Sequence, residues 1–215
     1  MFQNRMDAGM RLAWHLGRYK DHKDALVMAI PRGGMPVGGV LARDLDLDLN
    51  ALLVGKIEHP DDRSVVIGAV SLTSVDLDPS AIGEGGVTAE HLDAAVASVK
   101  DVLRRRYWAC RAVVRPETVS GRTVILVDDE AAYAWPLAAG IRRLRREGAG
   151  RIVAAVPAAS REAYESLQRE ADKFVCLQVV ESPADVAPLY REFRTVTDEE
   201  ALEVLKRTAR DAAAR

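Results

Sequence analysis

VILVDDEAAYAWPLAAGI, residues 124–141, is the stretch from which the fold of this chain is read. Val124, Ile125, Leu126 and Val127 form a short continuous apolar run, the pattern of a strand buried on both faces. Asp128 and Asp129 end it, and a helical pattern resumes after Pro136, whose fixed φ and missing N–H suit a first helical position. Strand, acidic turn and helix in that order make a unit of a parallel sheet. Such a sheet binds its ligands outside the carboxyl ends of its strands.

The same unit recurs on either side. ALVMAI (25–30) is a buried strand, cut off by PRGGMPVGG, whose prolines and glycines speak against further regular structure, before PVGGVLARDL turns helical. ALLVGKI (51–57) reads as a second buried strand and SVVIGAVSLT (64–73) as a third, half-exposed segment; 74–87 is loop-like. A long helix from Thr88 to about Arg111 carries Leu92, Ala95, Val96, Val99, Val102 and Leu103 on one stripe. TVILVDD (123–129), RIVAAVPA (151–158) and KFVCLQVV (173–180) are buried strands separated by helices near 136–148 and 160–171. At the start, residues 4–18 place Met6, Met10, Ala13 and Leu16 or Gly17 at helical spacing, which predicts a packing stripe. Near the end, Thr197 and Glu200 form a capping box that opens a helix over about 198–212. The alternation predicts an α/β fold: a doubly wound parallel sheet in a single domain over 1–215, joined by right-handed crossovers.

Composition narrows the classes of function. A net charge of −2 gives no general attraction to nucleic acid, and the local runs Arg104 to Arg106 and Arg142 to Arg146 read as solvated helix faces. Cys110 and Cys176 stand apart, with no CxxC pair and no nearby histidines, which argues against a zinc site or a disulfide framework. The N-terminal MFQNRMDAGMRLAWHL lacks the apolar core of a signal peptide, and no stretch is long enough to span a bilayer, so the expected location is the cytoplasm.

Two loops qualify as sites. In PRGG (31–34), Gly33 and Gly34 let backbone N–H groups approach an anion while Arg32 adds a charged fork; the tetrapeptide alone reads equally well as a plain turn. Asp128 and Asp129 can accept hydrogen bonds from a ribose diol or help hold a hydrated cation; they can also be acidic residues at a helix N-terminus. VDDE also looks like the start of a response-regulator receiver. That fold needs four more strands after the acidic pair, and only two follow here.

Taken together, RMDAGMRLAWHL, AIPRGGMPVG, LLVGKI, IGAV, VILVDD, RIVAAVPAAS, ADKFVCL and LYREFRTVTDEEALEVL, in this order and spacing, resemble the type I phosphoribosyltransferases, in particular a bacterial group named only for that family. The resemblance implies that Arg32, Gly33 and Gly34 bind pyrophosphate, with a cis peptide between Arg32 and Gly33. It implies that Asp128 and Asp129 take the ribose hydroxyls of phosphoribosyl pyrophosphate, and that Lys56 is a basic catalytic residue ending the second strand, preceded by Gly55 where an arginine is common. Residues 58–87 would form the flexible hood and catalytic loop. Mg2+ would be the cofactor, held through ligand and water with no direct protein ligand. The partner would be phosphoribosyl pyrophosphate or a related phosphorylated small molecule, and the acceptor is not specified. A homodimer is implied, with apolar surface on the first helix and around Tyr190 and Phe193.

The likeness breaks after Asp129. The family's Gly-x-Ala-Thr-Gly-Ala-Thr is replaced by Glu130, Ala131, Ala132, Tyr133, Ala134, Trp135 and Pro136, and only Ala132 agrees. A phosphate nest needs free N–H donors at a helix N-terminus. Proline removes one, Glu130 adds like charge, and the ring of Tyr133 cannot stand in for a threonine. The expectation is a phosphoribosyltransferase-like protein with a weakened 5'-phosphate cradle; the alternative is a non-catalytic nucleotide- or anion-binding or regulatory protein on the same fold. Tyr133 and Trp135 would stack on a ring, cover a pocket or pack in the core.

Overall fold

The computed structural model describes residues 1–62, 65–77, 82 and 87–214. Five strands form one all-parallel sheet: β1 (Ala25–Ala29), β2 (Asp48–Ala51), β6 (Thr123–Val127), β7 (Arg151–Ser160) and β8 (Lys173–Val180), in the order β2-β1-β6-β7-β8. Their side chains alternate between two cores, as the period of a strand requires. Val27, Ala29, Ile125, Val127, Val153 and Ala155 face α1 (Arg5–His15), α2 (Gly34–Leu45) and α6 (Asp198–Ala213). Leu26, Met28, Val124, Leu126, Ile152 and Ala154 face α4 (Trp135–Arg146) and α5 (Arg161–Glu170). Helices on both faces make the sheet doubly wound, as the alternation predicts.

A second, antiparallel sheet holds β3 (Gly55–Glu58), β4 (Val66–Val70) and β5 (Val75–Leu77). The long helix α3 (Ala89–Arg111), capped by Thr88, covers it with Leu92, Val96, Val99 and Leu103. This corrects the reading of 51–57 as one buried strand. Residue 51 ends β2, residues 55–57 belong to the other sheet, and Leu52, Leu53 and Val54 between them are buried because they bridge the two cores. An apolar connector and an apolar strand look the same in sequence. The stretch 58–87, expected to form the hood, thus contains strands of this sheet, which itself starts earlier, at Gly55; residues 63–64, 78–81 and 83–86 lie outside the described residues.

Two local expectations also change. Helix α2 starts at Gly34, so most of PRGGMPVGG is helical and Pro36 sits in the first turn, where its missing N–H costs nothing. The packing face of α1 is Ala8, Gly9, Leu12 and Ala13, while Met6 and Met10 are 38 % and 49 % exposed beside Trp14 at 81 %. Small residues win because α1 lies close on α2: a Cβ on Gly9 would stand 3.0 Å from the Cβ of Val40. The capping box of Thr197 and Glu200 forms as read. The arginine runs are largely paired on helix surfaces, Arg104 with Asp101, Arg142 with Glu170 and Arg145 with Asp172 among them.

Candidate functional site

Strand order reverses between β1 and β6. From β1 the chain moves outward to β2, then returns on the other side to β6, β7 and β8. Ala29 and Val127 pair in register, so the two loops that follow leave the sheet side by side, and the Ile30 N–H donates to the Val127 carbonyl at 2.9 Å. A cleft of about 610 Å³ opens there, with Arg32, Gly33, Lys56, Asp128, Asp129 and Glu130 in its walls.

The first loop is tight. The cis peptide joins Pro31 and Arg32, one residue earlier than the resemblance implies. Gly33 leaves no room for a side chain, because a Cβ there would collide with the carboxylate of Asp129; one on Gly34 would lie 3.0 Å from the Asp128 Cα. These glycines serve close approach, since Gly33 has ordinary helical dihedrals. Arg32 is exposed at the cleft and has no ion pair among the described residues. Lys56 also lines the cleft, but from β3 of the antiparallel sheet, and its ammonium pairs with Glu58 at 2.8 Å.

The aspartates differ from each other. Asp129 is buried and ion-paired with Arg5, Nε to Oδ2 at 2.7 Å, with side chains only 10 % and 11 % exposed. Asp128 keeps part of its surface at the cleft and accepts from the Asp129 N–H at 2.9 Å. Crowding that strips its water, and then the charge of Asp129, push the Asp128 carboxyl well above the usual carboxylate range. Burial and then Asp129 push Glu130 up to about 7, with Arg5 and Lys56 pulling the other way. Among the described residues no group of three or more His, Cys, Asp or Glu could cage a metal.

Arg5, which also lines the cleft, is the residue of this arrangement that sequence reasoning missed. It also donates to the Arg194 carbonyl at 2.8 Å and lies 4.0 Å over the Phe193 ring. A signal was present: Arg5 is the first residue of α1, where the helix dipole disfavours a cation, so a compensating partner had to exist. Tyr190, expected to offer surface for assembly, is buried instead. It stacks on Phe193 and donates its hydroxyl to the Asp129 carbonyl at 2.5 Å.

The altered loop is fastened to β7. The Ala131 N–H donates to Ala158 O at 2.8 Å, Ser160 N–H donates to Ala131 O at 3.0 Å, and the Ser160 hydroxyl donates to Ala132 O at 2.8 Å. Glu130 and Pro136 face the cleft. Tyr133 and Trp135 face away, into a second cleft of about 430 Å³ against Val66 of β4 and Ser160. Neither is in the core: Tyr133 is 46 % exposed, and Trp135 is half-buried with the Arg142 guanidinium 5.5 Å from its ring.

A doubly wound sheet with a glycine loop and an acidic pair meeting at its switch point is an α/β protein with its cleft where open parallel sheets bind their ligands. The family model for the phosphoribosyl transferase domain matches residues 2–191, and the chain belongs to that family. It is 30 % identical over 218 aligned positions to Rv0571c of Mycobacterium tuberculosis, provisionally named a phosphoribosyl transferase; the alignment covers 99 % of this chain but 48 % of that protein. The chain thus spans about half the length of the curated relatives it matches. Among solved structures, TT1426 from Thermus thermophilus is similar with a TM-score of 0.76 and 33 % identity over 96 % of this chain and 98 % of that one. The purine phosphoribosyltransferase from Pyrococcus horikoshii Ot3, at TM-score 0.50 and 16 % identity over 92 % and 97 %, shares the fold.

Proposed function

We propose that the cleft is a pentosyl-transfer site. It would hold pyrophosphate at the 31–34 loop and ribose beside the aspartates, and would pass the phosphoribosyl group of phosphoribosyl pyrophosphate or a related ligand to a nucleophilic acceptor. The carrying observation is the contact of Gly33 and Gly34 with Asp129 and Asp128 at the switch point. In this reading Arg32 supplies a bidentate fork to the pyrophosphate, and Lys56 adds a second cation once it leaves Glu58. Asp129, paired with Arg5, accepts from a ribose hydroxyl, while Asp128, whose carboxyl is pushed towards its protonated form, donates. The Asp129 carboxylate lies next to the ribose, where a cationic transition state would develop.

The donor chemistry fits magnesium held by pyrophosphate oxygens and water, with Asp129 reaching it through water; bound, it would neutralise charge on the departing pyrophosphate. The single domain of the reading includes the antiparallel hood. No helix among the described residues is long and apolar enough to cross a membrane. The exposed Met6, Met10 and Trp14 support the homodimer that belongs to this reading, which places the protein in the cytoplasm.

A second reading, ligand binding without turnover, is favoured by the Arg5–Asp129 pair and by the fastened 130–134 loop. Calorimetry with pyrophosphate and magnesium tests the shared element. The expected result is binding that weakens at least tenfold in Arg32→Ala; absence of pyrophosphate binding would overturn both readings. Release of pyrophosphate from phosphoribosyl pyrophosphate across a panel of nucleobases then separates transfer from mere binding.

A further inference from the structure

The cleft is lined by groups of opposite charge: Arg32, without an ion pair among the described residues, and Lys56 on the one hand, Asp128, Asp129 and Glu130 on the other. Pro136, also in its wall, belongs to the first turn of α4, and a helix N-terminus ordinarily draws an anion through its free N–H groups and its dipole. Here two donors of the loop are lost and the side-chain cap is absent. Pro136 has no N–H, Ala134 gives α4 no side-chain cap, and the Ala131 N–H is bonded to Ala158. In front of this helix stands the Glu130 carboxylate, half-buried, lining the cleft, and without a hydrogen-bond or ion-pair partner among the described residues. Its nearby cations are Arg5 and Lys56, already committed to Asp129 and Glu58.

An unpartnered carboxylate is an acceptor waiting for a donor, and a phosphate dianion is the worst group to set beside it. We propose that this part of the cleft reads a hydrogen-bond donor, so that the ligand is a pyrophosphorylated pentose whose C5 carries a hydroxyl or amino group in place of a phosphate. The inference rests on the pentosyl pyrophosphate reading above and deepens it. Pyrophosphate goes to Arg32, the ring diol to Asp129, and the C5 substituent donates to Glu130 in a charge-assisted hydrogen bond.

The test is calorimetry on the full chain, buffered well above the value of about 7 to which Glu130 is pushed so that it stands as a carboxylate, with magnesium and three probes: inorganic pyrophosphate, α-D-ribose 1-pyrophosphate with its free 5-hydroxyl, and phosphoribosyl pyrophosphate. The unmodified protein is expected to bind the 5-hydroxyl compound at least tenfold more tightly than phosphoribosyl pyrophosphate. In Glu130→Gln, which keeps the shape and removes the charge, that ratio is expected to shrink by at least threefold; Glu130→Gly should shrink it further. A ratio at or below one overturns the proposal, and so does a ratio that both variants leave unchanged. If pyrophosphate binds while both ribosyl compounds bind no better, the C5 proposal fails and the anion loop stands. If no probe binds, the underlying reading fails with it.

Discussion

The loop after β1 presents Pro31, Gly33 and Arg32, which has no ion pair among the described residues, to the cleft, whereas the loop after β6 presents three acidic residues and a proline. Both leave neighbouring strands at the same level of the sheet. The difference is one of commitment. In the first loop the glycines let the backbone come close and Arg32 stays available. In the second, Asp129 is bound by Arg5 and Tyr190, and the backbone of Ala131 and Ala132 is bonded to β7. A loop with an uncommitted arginine can take an anion, while a loop tied down through its carbonyls and Asp129 holds its remaining acidic groups in fixed positions.

That contrast can be broken most forcefully at its two arginines. Arg5→Ala leaves the buried Asp129 without its partner and is expected to cost about 3–5 kcal/mol in urea denaturation, while Arg32→Ala, exposed and unpaired, should stay within about 0.5 kcal/mol. Comparable losses in both would show that Arg5 is not a clamp.

Glu130 sharpens the contrast through pH. Its folded-state value of about 7 lies above its ordinary 4.5, so between those limits the native chain holds a proton that the unfolded chain has lost. Stability from this group is therefore full at low pH and is lost as pH rises towards 7, by up to about 3 kcal/mol. Asp128 contributes with the same sign; Asp129, Arg5 and Lys56 face Glu130. The informative quantity is the difference between the unmodified protein and Glu130→Gln, which should lose its share of the slope. Identical pH profiles would place Glu130 in ordinary solvent.

Gly33→Ala tests the close approach of the two loops. The added methyl meets the Asp129 carboxylate, itself held by Arg5, so the expected destabilisation is about 1–3 kcal/mol, with pyrophosphate binding lost in parallel. A thermal midpoint unchanged from the parent would mean that the loops part easily.

The smallest expected effect comes from rebuilding the second loop in the image of the first. With Glu130→Gly, Tyr133→Thr, Ala134→Gly, Trp135→Ala and Pro136→Thr combined, affinity for phosphoribosyl pyrophosphate should rise at least tenfold, about 1.4 kcal/mol. Low-micromolar binding by the unmodified protein, with no gain on rebuilding, would show that the native loop already accommodates a 5'-phosphate.

Much of the architecture was legible along the chain, because its causes are local. Apolar runs and their periodicity marked four of the five strands of the parallel sheet and missed β2 except for Ala51, and the Thr197 and Glu200 pair marked the start of α6. Adjacent glycines beside Arg32, the Asp128 and Asp129 pair, and the loss of the glycines and threonines after them are also properties of short segments. What the tertiary structure alone decided were relations between distant segments. Arg5 reaches Asp129 across the length of the first half of the chain, and Tyr190 reaches it from the other side. The small-residue face of α1 was chosen by the closeness of α2 over the larger methionines on its other side. Leu52, Leu53 and Val54 became a bridge between cores because Ala51 and Gly55 were claimed by different sheets. Hydrophobicity and backbone preference act on each residue where it stands, but a contact between residues far apart in sequence forms only when the packing of everything between them brings them together.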